Sequence, residues 1–162
     1  MGRLSVYGGS SGSTLTVSIT EDCTINGRDY GGYSTVAISG IKNVTKRIET
    51  ITTTEATMIT IGAGIAGGTY VAASIAYLRF TNIDDTNFIT LTFANENDDE
   101  FAVKLDAGKT FILTSDNSGG MVDIIDAIDG TGLTYSLGDL KSITADADTA
   151  SADMEIYIAC TA

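Results

Sequence analysis

The chain has 162 residues, 43% hydrophobic and 19% charged, enough for one ordinary domain with a sizeable core and unlike a natively disordered chain. It contains no histidine and two cysteines, which excludes histidine-based triads, cysteine–histidine proteases and the usual zinc sites. Nine basic against 21 acidic residues give a net charge of −12. Such a surface repels phosphate backbones and anionic membranes, so neither is an expected partner.

The opening Met1-Gly2-Arg3-Leu4-Ser5 carries no apolar run of signal-peptide length. No stretch approaches the roughly 18 uninterrupted apolar residues of a membrane span. Residues 1–13, rich in Gly and Ser, read as a flexible N-terminal arm. From residue 14 to 162 no proline-rich linker, composition shift or repeat divides the chain, which reads as one domain.

Along that domain the dominant signal is period-two alternation, which puts every second side chain on one face of a strand. Leu15, Val17 and Ile19 alternate with Thr16, Ser18 and Thr20, predicting a strand with one buried face. Further strands are predicted at Thr35–Ser39, Thr57–Ile61, Ile75–Asn82, Ile89–Phe93, Phe101–Leu105, Lys109–Thr114, Leu140–Thr144 and Met154–Ala159, most of them rich in β-branched residues. Asn26-Gly27, Tyr30-Gly31-Gly32, Asn95–Asp99, Ala107-Gly108 and Ser115–Gly120 supply the turns. Asp106-Ala107-Gly108-Lys109 lies between two alternating runs and predicts a hairpin joining them. Gly120–Asp129 fits a short helix or a strand and loop equally well, and Thr144–Ala152, with its alternating Asp and Ala, reads as a solvated crossing loop. These elements predict an all-β protein, an antiparallel β-sandwich of jelly-roll type with at most one or two short helices.

Gly62-Ala63-Gly64-Ile65-Ala66-Gly67 is a literal G-x-G-x-x-G that follows an apolar run and stands about 20 residues before Asp84. A dinucleotide site needs a helix that starts within the glycines and turns its free N–H groups on the pyrophosphate. Gly68, Thr69, Tyr70 and Val71 make a poor first helical turn, and Ile75–Phe80 already reads as a strand. A glycine-rich connection between strands is the expectation, with no bound cofactor. Asp84-Asp85 and Glu96–Glu100 are the acidic clusters; adjacent acids on an extended backbone diverge and lack EF-hand spacing, so they read as solvated turns with no metal. The 21 acids also leave a glycosidase-type carboxylate pair open, because separation in space is invisible in sequence. Cys23 and Cys160 lie near opposite ends, which leaves a bridge or two isolated small residues open. Asn43-Val44-Thr45 matches a glycosylation acceptor in a chain full of threonine. Among the aromatic residues, Tyr30 and Tyr33 in Asp29-Tyr30-Gly31-Gly32-Tyr33 are the best contact candidates, since Tyr in glycine-rich loops supplies rigid contact area. Covering an edge of their own domain is the alternative. Arg3 and Tyr7 on the arm complete the interface candidates, and no catalytic residue is assigned.

The runs Tyr77–Asp84, Phe88–Leu91, Phe101–Leu113 and Ala145–Tyr157, with an L-x-A-G-x-x-F segment and an acidic Ala/Thr-rich lead into the last strand, resemble virion structural proteins of tailed bacteriophages, especially marine ones. The resemblance covers roughly the C-terminal half, and its motifs are structural, not catalytic. It implies a non-enzymatic capsid cement or decoration protein, a multimer seated on the major capsid protein of a virion assembled in the host cytoplasm. A tail, baseplate or fibre component is the alternative it leaves open. A carbohydrate-binding or hydrolytic module with stacking Tyr rings is a third, weakened by the absence of Trp.

Overall fold

The computed structural model describes residues 13–62, 69–115, 120–122, 124–125 and 137–162. Thirteen strands run through these residues: β1 (Ser13–Glu21), β2 (Thr24–Ile25), β3 (Arg28–Asp29), β4 (Gly32–Ile41), β5 (Asn43–Ile51), β6 (Ala56–Ile61), β7 (Thr69–Tyr70), β8 (Ile75–Asn82), β9 (Ile89–Asn95), β10 (Glu100–Leu105), β11 (Thr110–Thr114), β12 (Leu140–Ala147) and β13 (Ala152–Cys160). Among the described residues the one helical element is a single 3-10 turn at Ala72–Ser74.

Two sheets carry the core. One has the order β11-β8-β13-β5, the other β10-β9-β12-β6 with β7 added in parallel beyond β6. This is a jelly-roll order: the chain changes sheet at most of its connections, and pairing is antiparallel apart from β7. The expected all-β sandwich is the observed architecture. Period-two alternation builds it directly, since Leu78, Phe80, Ile156 and Ile158 of one sheet and Ile89, Leu91, Phe93 and Ile143 of the other are fully buried between the layers. At the centre Phe93 stacks on Phe101 (4.8 Å between centroids, 5° between planes) and meets Phe80 edge-on at 6.0 Å and Phe111 at 5.4 Å. Two phenylalanines come from each sheet, so the aromatic cluster clamps the layers.

Four sequence expectations are corrected. The turn at Asp106–Lys109 forms, with Lys109 N–H donating to Asp106 O at 3.0 Å and Gly108 at φ +70°. It is not a hairpin, however: β10 pairs with β9 and β11 pairs with β8, so the turn carries the chain between sheets. Alternation on both sides of a turn specifies which faces are buried, not which strands pair. The predicted loop at Thr144–Ala152 is strand as far as Ala147, because Ala145 and Ala147 are core residues too small to register as an apolar run. The strand β5 was not expected at all; its charged Arg47 and Glu49 lie on the same side as buried Ile51 while Ile48 is exposed, which inverts the usual pattern. Ile19, expected in the core, is 48% exposed. Of Gly120–Asp129, Gly120 to Val122 form a turn, Ile124 N–H donates to Gly138 O at 3.1 Å and Ile125 bridges to Gly138; Asp123 and residues 126–129 lie outside the described residues.

Among the described residues two buried side chains are polar, Asn82 and Asn95, and each organises a strand end. Asn82 donates to Asn87 O (2.8 Å) and Leu105 O (3.0 Å) and accepts from Asp84 N–H (3.0 Å). Asn95 donates to Ile125 O (3.0 Å) and Asp99 Oδ2 (3.1 Å) and accepts from the N–H groups of Asn97 and Asp99, both at 2.9 Å. Every amide atom is used, which is the condition for burying one. Asn82→Ala removes the hydrogen bonds to Asn87 O, Leu105 O and Asp84 N–H, so we expect a loss of about 2–3 kcal/mol of folding stability by urea denaturation; a loss below about 0.5 kcal/mol would show that water replaces the amide.

Candidate functional site

Ahead of the jelly roll the chain folds into an antiparallel ribbon of β1 and β4, with Leu15 opposite Ile38, Val17 opposite Val36 and Ile19 opposite Ser34. Opposed residues share a face, so these form its apolar side, while Thr16, Ser18, Thr20, Tyr33 and Thr35 form a hydroxyl-rich side. The register shifts between Ser13 and Leu15, across from Gly40, which adopts φ +78° and has nothing within 4 Å of where a Cβ would sit. Gly40 thus supplies a left-handed backbone, at no steric cost, where β4 turns into β5 through Lys42. Lys42 N–H already donates to Cys160 O of the sheet.

The root of the ribbon packs on the outer face of the four-stranded sheet. Ile38 and Ile41 bury against Ala76, Tyr77 and Ala159, flanked by half-buried Leu15, Val17 and Tyr157. This cluster is separate from the interlayer core. Beyond it the support ends: from Ser18 to Ala37 every residue is exposed save half-buried Gly32. Ile19, Ile25, Tyr30, Tyr33 and Val36 fall in this stretch and make up half of the large apolar side chains exposed among the described residues. At its end β2 and β3 close a two-residue turn at Asn26 (φ 52°) and Gly27 (φ 76°), the hairpin chemistry expected of Asn-Gly.

Tyr30 and Tyr33 therefore lie on the same element, 58% and 71% exposed. They occupy different parts of it. Tyr30 sits at the tip, its N–H donating to Cys23 O at 2.7 Å, and next to it Asp29 Oδ1 accepts from Gly31 N–H at 2.7 Å. Tyr33 lies along the hydroxyl-rich side, 3.4 Å from Ser18 Oγ, and hydrogen bonding to Ser18 and Thr35 lowers its pKa. Arg3 and Tyr7 lie outside the described residues, as does the arm up to residue 12; Ser13 already belongs to β1. Sequence reading missed Ile25 and Val36, and took Ile19 for core. A long alternating run without a charge was the available signal.

Beside β1 a hollow of about 260 Å³ opens over the outer sheet face, bounded by Leu15–Ser18 and by Tyr77, Arg79 and Tyr157. Tyr77 meets Tyr157 edge-on at 5.7 Å and is itself only 4% exposed. Its ring face is spent on the ribbon and offers no platform for a sugar. Burial also raises the Tyr77 pKa, so its hydroxyl stays protonated. Arg79 donates to Glu155 Oε1 at 2.5 Å and Thr81 Oγ1 at 2.9 Å, and Lys46 Nζ lies 3.0 Å from Glu155 Oε2. One carboxylate thus ties β5, β13 and β8 together across the face.

The other sequence candidates are placed as follows. Ala63–Gly68 lie outside the described residues. Gly62 N–H donates to Tyr70 O, and Thr69 already belongs to β7. Asp84 Oδ1 accepts the N–H groups of Thr86 (2.8 Å) and Asn87 (2.7 Å), bonds that lower its pKa and close a turn. Asp98 heads the β9–β10 hairpin and pairs with Lys141. Cys23 is exposed at the ribbon tip and Cys160 buried in the sheet; both are free thiols, and burial raises the pKa of Cys160.

No protein-family model and no curated protein matches the chain. A solved structure described as belonging to Bacillus endospore appendages, a family of disulfide-linked pili, is similar over 98% of this chain and 96% of its own, at 9% identity and a TM-score of 0.45.

Glu155 makes acid sensitivity a direct readout of the outer face. Hydrogen bonds from Lys46 and then Arg79 lower its pKa. Its contribution to stability is therefore complete above the usual glutamate value of about 4.3 and is lost as pH falls through the lower folded value. Glu155→Gln should remove that part of the melting temperature's fall between neutral and acidic pH; an unchanged pH profile would show that the ladder does not couple to folding.

Proposed function

We propose that this chain is a non-catalytic structural subunit of a tailed-phage virion, a jelly-roll cement or decoration protein that attaches to the major capsid protein by the tip of its projecting ribbon. The observation that supports this is the ribbon itself. An isolated two-stranded hairpin is at best marginally stable in water, yet here its outer half is exposed with nothing among the described residues covering it and with Ile25 and Tyr30 exposed at the end. Such an element has a use when it reaches a neighbour. Tyr and apolar anchors surrounded by polar rim are the composition of contact hot spots. Glu21, Asp22, Arg28 and Asp29 surround the tip and suit docking onto a mixed or basic rim, where complementary charge orients the encounter. The virion assignment draws on the resemblance of the C-terminal half, and the localisation follows from it.

Capsid shells stripped of this protein provide the test. Wild-type chain should reoccupy them, and replacement of Ile25 and Tyr30 together by Ala should lower occupancy about tenfold or more at matched concentration, as expected for the loss of central anchors. Wild-type chain that fails to bind shells, or a double variant that binds as well as wild type, would sink the proposal.

A further inference from the structure

We infer that Asn26-Gly27, the turn at the end of the ribbon, is a self-modifying site: the Asn26 amide is lost to attack by the chain's own backbone, and the product loosens the tip. The chemistry stands on the turn alone; its effect on docking rests on the reading of the tip as the contact with the shell.

Of the chain's asparagines only Asn26 precedes a glycine. The attacking group is the Gly27 backbone nitrogen, which the absence of a side chain leaves open to approach. Nothing lies within 4 Å of where a Cβ on Gly27 would sit. Among the described residues no hydrogen bond holds the Asn26 side chain, and Gly27 N–H has no acceptor. Every residue from Ser18 to Gly31 is exposed, so water reaches the site. The other described asparagines differ. Asn82 and Asn95 are buried with their amides engaged. Asn43, Asn87 and Asn97 are followed by Val44, Phe88 and Asp98, whose side chains screen the attacking nitrogen.

The first step is a ring closure. Gly27 N bonds to Asn26 Cγ, the Cγ–Nδ2 bond breaks, and the proton of Gly27 N–H leaves with Nδ2 as ammonia. One water then opens the cyclic imide. Cleavage between the Gly27 nitrogen and Cγ gives an aspartate in the ordinary chain; cleavage between that nitrogen and the main-chain carbonyl carbon gives an isoaspartate, whose backbone runs through Cβ and Cγ. Water is the only co-reactant.

The closed turn holds Asn26 at φ 52° and Gly27 at φ 76°. Ring closure rotates the peptide unit between them, so it waits for the turn to open. Little resists that opening, because β2 and β3 contribute only the pairs Thr24 with Asp29 and Ile25 with Arg28, and so short a pairing lies at the low end of local stability. The isoaspartate lengthens a turn whose length sets the register of the strands it joins. Its carboxylate also joins Glu21, Asp22 and Asp29 around the tip, where like charges repel. Both changes release Ile25 from its place opposite Arg28.

The experiment ages the full-length chain without shells in mildly alkaline buffer and follows each asparagine by peptide mass spectrometry with isoaspartate detection. Asn26 should convert about tenfold or more faster than any other described asparagine, as expected where no Cβ screens the nitrogen. Asn26→Gly, which still permits positive φ at both turn positions, should abolish the isoaspartate at the tip. The converted wild-type chain, separated by its extra negative charge, should occupy stripped shells about tenfold less than the unconverted chain, the effect of displacing a central anchor. Retention of the Asn26 amide in the folded chain while the urea-unfolded chain converts, or conversion no faster than at Asn43 and Asn97, overturns the inference and leaves the shell-binding reading standing. Converted chain that occupies shells as well as the unconverted form overturns the effect on docking. Conversion at Asn26 in a chain that ignores shells even when fresh sinks the shell-binding reading and leaves the modification standing.

Discussion

Exclusion of water from the layer between two sheets is the constraint on which the other features depend, and Phe93 marks its centre. Its ring contacts Phe101 within its own sheet and Phe80 and Phe111 across the gap. Each fully buried aromatic of this kind contributes about 1.5–3 kcal/mol relative to an exposed one, a large share of a total stability that is ordinarily about 5–15 kcal/mol. The layers can close only if the polar atoms trapped at their rims are satisfied. The two buried asparagines do this with every amide atom engaged.

Edge residues reinforce the closure from the side. Arg47 projects inward from β5, donating to Glu49 Oε1 at 2.6 Å and across the layers to Met58 O at 2.8 Å, and Tyr70 OH donates to Thr45 Oγ1 at 3.2 Å. These bonds make β5 a charged, occupied edge. The ribbon stands outside this closed system. Its root is held by a small cluster on the outer face and its shaft by pairing between β1 and β4, so the element with least support from the core also has the most uncovered apolar surface.

Much of the fold was legible. The strands β8, β9 and β13 follow from alternation because both inner-facing and β-branched preferences agree there. The strand β5 was hidden, since an edge strand can point charges inward at its open side and apolar Ile48 outward. Of the candidate site, Tyr30 and Tyr33 were found from glycine-rich context; Val36 was not, because an alternating run reads the same whether its apolar face meets a core or solvent, and Ile25 stands alone among polar and charged residues.

Alone, the sequence determined the class: β-branched residues at period two with turn residues between them, and helical spacing at one short segment only, permit little besides packed sheets. It also determined that a hairpin would close at Asn26-Gly27, since left-handed φ at both positions is local chemistry. Only the tertiary structure decided that β10 and β11 part company at Gly108, that Ala145 and Ala147 lie in the core, and that Ile19 does not. Strand partnership and burial depend on which distant faces meet, and a residue's neighbours along the chain carry no record of that choice.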